Sequence, residues 1–195
     1  MIRPIVLHPD ARLKKKSVEV ESITDALIKL ADDMMETMYD APGIGLAAPQ
    51  IGVLERLIVM DCAKKEGEEP DPIIMVNPII TASSAEKSVY EEGCLSIPEH
   101  FAEITRPEFV QVEWIDLDGK QHSEEFNGLK STCVQHEIDH LNGVTIHDRE
   151  FKLEPTKAKK KIGRNDKVTI QKDGQTKVLK YKKAQNLLNQ GWVIQ

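Results

Sequence analysis

Apolar residues recur at helical spacing first at Ile23, Leu27, Leu30, Ala31, Met34 and Met38. They share one face of a 3.6-residue period and predict an amphipathic helix over 24–39. Ser22, followed three residues later by Asp25, imitates a capping box, and Ala41-Pro42-Gly43 ends the pattern. Two continuous apolar runs come next, Leu57-Ile58-Val59-Met60 and Ile73-Ile74-Met75-Val76. Both are too short for helices and predict buried strands, with a charged loop from Lys64 to Asp71 between them. Val110, Val112 and Trp114 alternate with polar neighbours, and Asp118-Gly119 predicts a hairpin whose second strand ends near Phe126. A second helix is expected from about Ser131 to Asn142, stopped by Gly143. Separated helices among hairpins favour an α+β fold over a doubly wound sheet. The sheets should be mixed or antiparallel and pack around this central second helix.

Composition changes the picture in two ways. A chain of 195 residues, 40% hydrophobic, can bury one sizeable core with a small appendage, which excludes disorder throughout. Its longest apolar runs are only a few residues, so no segment is expected to span a membrane. The opening Met-Ile-Arg-Pro-Ile-Val-Leu-His-Pro-Asp has no h-region and suggests no export. Cys62, Cys94 and Cys133 are too sparse for a disulfide scaffold, so a reducing cytoplasm is expected. Charge then splits the chain. From Pro155 onward ten Lys and Arg164 face only Asp166 and Asp173, a balance of +9 in a chain of net charge −6. The expected organisation is an acidic body over 1–154 and a basic extension over 155–195 with its own partner. Within that extension, Lys167–Gln171 and Lys177–Tyr181 flank Asp173-Gly174 as a small hairpin. Ala184, Leu187 and Leu188 predict a short helix ending at Gly191.

The chemistry concentrates in Gln135-His136-Glu137-Ile138-Asp139-His140. Four residues apart on a helix, His136 and His140 point the same way and suit two imidazole ligands on one metal. Cys133, His136, Glu137 and His140 fall within an arc of about 100°. Val134, Ile138 and Leu141 lie on the adjoining flank and can pack into the core. Burying the imidazoles and carboxylate unpaired would cost several kcal/mol each, on the order of the known penalty for polar groups, so they need compensation. A metal supplies it. A third ligand is then required, with one position left for water, and another His, an acidic residue or a Cys could provide it. Cys94, in Glu92-Gly93-Cys94-Leu95-Ser96, follows a glycine in an expected loop. Cys133 shares the His face but is spaced as a wall residue. Gly43-Ile44-Gly45-Leu46-Ala47-Ala48-Pro49-Gln50 is the third informative stretch, where glycines allow close approach of a bound chain.

Taken together and in this order, these motifs resemble the peptide deformylase family, whose signatures are G-x-G-L-A-A-x-Q, E-G-C-L-S and Q-H-E-x-D-H-L-x-G. Here they are Gly43–Gln50, Glu92–Ser96 and Gln135–Gly143. The resemblance spans roughly residues 2–150 and looks like the bacterial type I branch. It implies that Cys94, His136 and His140 hold one divalent metal, Fe(II) natively, with Ni(II), Co(II) or Zn(II) able to take its place. It also implies that Glu137 is the catalytic acid and base. The Gln50 amide and the Leu95 backbone N–H would donate to the oxyanion. Gly43, Ile44, Gly45 and Gly93 would hold the substrate backbone, and Ile44, Thr132 and Cys133 would border the Met side-chain pocket. The implied reaction removes formyl from the N-terminal formyl-Met of nascent polypeptides. A monomer is expected.

Arg106 is expected to pair with Glu92. Phe101 departs from the family, many type I members carrying Arg there, and the chain beyond about Lys161 matches no family pattern. The basic extension is expected to dock on the ribosome through Lys157, Lys159, Lys160, Lys161, Arg164 and Lys167. Two other functions compete. One is a zinc metallopeptidase, with His147 as a third ligand. The other is a non-enzymatic metal-binding module closed by Cys133.

Overall fold

The computed structural model describes residues 1–63, 69–150, 167–172, 174–188 and 192–194. Two units separate in it, Met1–Phe151 and Lys152–Gln195. In the first, helix α1 (Asp25–Asp40) buries Leu27, Leu30, Ala31, Met34 and Met38 on one stripe. Its cap is Thr24 rather than Ser22: the extended Thr24 accepts from the Leu27 N–H through its hydroxyl, at 3.2 Å. That satisfies one of the helix's unpaired donors.

A five-stranded antiparallel sheet forms the centre, in the order β1 (Gly45–Ala47), β2 (Leu57–Met60), β3 (Ile73–Ser83), β6 (Phe109–Ile115) and β7 (Gln121–Asn127). Every residue of β2 is buried, which explains its unbroken apolar run. Leu57 and Val59 pack toward the α1 stripe. Ile58 and Met60 pack on the opposite side with Val134, Ile138 and Leu141 of helix α2 (Gly128–Leu141). Helix α2 starts about one turn before the expected Ser131. Strand β7 runs straight into it, and Gly128 turns the corner at φ +53°, a conformation costly for residues with a side chain.

An antiparallel hairpin of β4 (Lys87–Cys94) and β5 (Ile97–Pro107) lies outside this sheet and has no counterpart in the expectations from sequence. Cys94 is therefore the last residue of a strand, before a Leu95-Ser96 turn, and not a loop residue. A short helix α3 (Ile146–Arg149) follows α2. The expected charged loop falls partly outside the described residues, at 64–68.

In the second unit, β8 (Lys167–Lys172), β9 (Gln175–Lys180) and β10 (Val193–Ile194) form a sheet in the order β10-β8-β9, and α4 covers Tyr181–Leu188. Val168, Ile170 and Ala184 make a small core of its own, with Leu179, Tyr181, Leu187 and Trp192 packed on it. The expected helix end at Gly191 lies outside the described residues, as do Lys157, Lys159, Lys160, Lys161 and Arg164. No helix among the described residues is long and apolar enough to cross a membrane.

Candidate active site

Helix α2 presents His136 and His140 one turn apart, and β4 delivers Cys94 against them. Cys94 Sγ lies 3.2 Å from His140 Nε2, which lies 3.2 Å from His136 Nε2. One sulfur and two nitrogens, all within 4.8 Å of one another, thus face a common point. A thiolate and two imidazoles at this spacing suit a borderline divalent transition metal.

The surroundings orient these groups for that task. His136 Nδ1 donates to Glu92 Oε2 at 2.9 Å, which directs Nε2 toward the cluster as the atom that would ligate once a metal replaces its proton. Glu92 is itself gripped by both arms of Arg106, at 2.6 and 3.0 Å, the pairing expected from sequence. Arg106 also donates to Asp139 at 2.8 Å, and Arg149 reaches the same carboxylate. Burial disfavours the charged form of His136, but Cys94, Glu92 and Glu137 outweigh it and push its pKa up to about 10. Surroundings that draw a proton so strongly also draw a metal cation. Burial and the nearby His136 hold His140 well below its ordinary value.

Glu137 sits one residue along from His136, and burial pushes its carboxyl up to about 7 while His136 works the other way. Its Oε2 is buried without a hydrogen-bond partner, as is His140 Nδ1. Strand β1 passes so close that a Cβ on Gly45 would collide with the Glu137 carboxylate and would meet Cys133 Sγ at 2.8 Å. Only glycine lets a chain segment run beside this helix face. Gln50, 1% exposed, has its Oε1 fixed by the Ala47 N–H at 2.8 Å. Its Nε2 is thereby aimed at Ser96 Oγ, 3.3 Å away, beside Cys94 Sγ.

These groups open into a pocket of about 560 Å³. Of the site residues named from sequence, Gly43, Ile44, Gly45, Gln50, Gly93, Cys94, Leu95, Thr132, Cys133, His136 and Glu137 all line it. His140 lies behind, reaching the cluster through Nε2. His147 is not brought to the His pair but joins His100 and Glu150 elsewhere, which removes the ligand that the metallopeptidase reading needed. Cys133 donates toward the Ile44 carbonyl at 3.4 Å and is no member of the cluster, which removes the fourth ligand of a closed structural site. Sequence reasoning missed Ser96, Asp139 and Arg149. Asp139 was visible inside the His motif, but its two Arg partners lie 33 and 10 residues away, beyond any local pattern.

The sequence model of the polypeptide deformylase family matches residues 2–159. A peptide deformylase of Rhizobium meliloti is 55% identical over 152 residues, 78% of this chain and 87% of that protein. The chain belongs to the polypeptide deformylase family. Solved deformylases share the fold: the crystal structure from Thermotoga maritima is 39% identical and superposes with a TM-score of 0.72, covering 77% of this chain and 98% of that one. A class I type b peptide deformylase from Acinetobacter baumannii, crystallised with Met-Ala-Ser bound, is 33% identical with a TM-score of 0.71, covering 76% of this chain and 98% of that one. Deformylases remove the N-formyl group from nascent peptides, and the chain is a metal-dependent hydrolase of this kind, acting in protein biosynthesis.

Proposed function

We propose that the chain deformylates N-terminal formyl-Met with Cys94, His136 and His140 holding one divalent metal and Glu137 moving the protons. The convergence of Sγ and two Nε2 atoms beside a carboxylate with an unpartnered oxygen carries this reading. When bound, the metal supplies Lewis acidity that lets water furnish hydroxide near neutral pH. Glu137 takes the water's proton at its carboxylate and passes it to the leaving amine, a role its raised pKa of about 7 suits. Gln50 Nε2, held by its own pinned Oε1, and the Leu95 backbone N–H donate to the oxygen that gains charge. Gly43, Ile44, Gly45 and Gly93 hold the peptide in an extended pose, and Ile44, Thr132 and Cys133 border the Met side chain. The Met-Ala-Ser bound by the Acinetobacter baumannii relative is consistent with a peptide beginning in Met.

Fe(II) is the native ion in this proposal, with Ni(II), Co(II) or Zn(II) as functional replacements. The enzyme works as a cytoplasmic monomer, its three cysteines free of disulfides. The basic extension draws it to ribosomal RNA phosphate, an attraction that weakens steeply with salt. The deciding assay compares formate release from formyl-Met peptides with cleavage of unformylated ones, alongside metal content. Formate release that vanishes with the metal is expected, and peptide-bond cleavage would overturn the reading. Iron enzyme should lose activity in air while nickel enzyme keeps it. A chain truncated after Glu154 should keep turnover on short peptides yet lose salt-sensitive co-sedimentation with ribosomes.

A further inference from the structure

A second set of metal-binding side chains lies outside the catalytic trio. His100 comes from β5, His147 from α3, and Glu150 from the residue just beyond α3. Their ligand atoms lie within 4.8 Å of one another, and none belongs to the Cys94, His136 and His140 group. His100 Nε2 contacts Glu150 Oε1, and His147 Nδ1 lies 3.3 Å from that same oxygen. The two imidazole rings are 4.5 Å apart at 50°, and His8 meets His147 at 5.0 Å. Half of the chain's six histidines are thus gathered in one patch.

We propose that His100, His147 and Glu150 form a second, outer site for a borderline divalent cation of the zinc class. Two imidazole nitrogens and a carboxylate oxygen from separate elements converge on one point, and a single dication can be shared by all three. Two nitrogens and one oxygen suit Zn(II), Co(II) or Ni(II), whereas Mg(II) and Ca(II) prefer oxygen alone. Three protein ligands leave a tetrahedral ion one position for water. The His100, His147 and Glu150 side chains are 36%, 32% and 29% exposed, so the ion exchanges with solvent and binds more weakly than at the buried trio. Its position is not idle. His100 also lines the substrate pocket, so an ion here ties the pocket-bearing hairpin to α3.

The test uses nickel-loaded holoenzyme titrated with zinc chloride by calorimetry, with nickel and zinc content measured afterwards. The expected result is one zinc equivalent per chain beyond the retained nickel. His147→Ala and Glu150→Gln should each weaken that binding by at least about tenfold while nickel content stays unchanged. Glu150→Gln preserves side-chain shape, so it remains decisive if His147→Ala folds poorly. Absence of a second equivalent in the wild type, or wild-type zinc affinity in a folded variant, would overturn the site.

Discussion

Helix α1 shows solvent Asp25, Lys29, Asp32 and Glu36 and buries an apolar stripe between them. Helix α2 is buried at every residue from Ser131 to Leu141, although seven of these eleven are polar or charged. The first arrangement is self-supporting, because apolar burial contributes about 25 cal/mol per Å² wherever the stripe finds a core. The second is costly unless each polar group finds a partner. Gln135 donates to the Pro107 and Ser131 carbonyls, Asp139 takes two arginines, and His136 takes Glu92. The partnering stops at Glu137 Oε2 and Thr132 Oγ1, both on residues that line the pocket, and at His140 Nδ1 behind them. Helix α1 thus serves mainly to stabilise the fold, while α2 carries the candidate site and is allowed into the core by a polar network.

The contrast is broken most forcefully at Glu137. Glu137→Gln keeps the shape of the side chain but cannot take a proton. Turnover measured by formate release should fall by about 10²–10⁴-fold, with metal content and melting temperature near wild type. An active variant would refute the role given to this carboxylate. The mirror experiment on α1 is Met34→Ala, at a fully buried position of its stripe. It should cost about 2–5 kcal/mol in urea unfolding while kcat/KM stays unchanged in the folded enzyme. A kinetic defect would mean that the two helices are not separable. Glu92→Gln tests the network that lets α2 be polar. Losing the charge that steers His136 and holds Arg106 should lower metal affinity by about 10–100-fold, read by competition with a chelator.

What could be read from sequence follows the same division. The α1 stripe and the β2 run were legible because apolar burial leaves a period or an unbroken run. The β4–β5 hairpin left neither. It is a two-stranded ribbon whose burial alternates but whose polarity does not follow it: Val89 and Phe101 are exposed, while Glu92 and Arg106 are buried. That is why Cys94 reads as a loop residue in sequence and stands at a strand end in the structure. The His pair was legible from helical spacing alone. Cys94, more than forty residues earlier, was tied to it only through the family's joint motifs. His147, considered for the catalytic metal, shares the outer cluster with His100, a partner that only the folding of β5 against α3 brings near.

The smallest expected effect concerns the one carboxylate inside the α1 stripe. Asp33 is buried, and it accepts from the Met1 amino group at 2.7 Å, from Arg3 at 2.7 and 3.0 Å and from Lys29 at 3.3 Å. The Met1 and Arg3 hydrogen bonds, against the opposing effect of burial, hold its pKa well below the unperturbed 3.8. A folded pKa that is depressed means stability fully present above the unfolded value and lost as pH falls through the folded one. Asp33→Asn removes the ionised partner at every pH. The melting-temperature gap between wild type and variant should therefore be greatest near neutral pH and shrink on acidification below the unperturbed value. The gap should also narrow with salt, because Met1 and Lys29 are largely exposed. A gap that ignored both pH and salt would mean that Asp33 acts by shape alone, and α1 would then have no charged exception to its apolar logic.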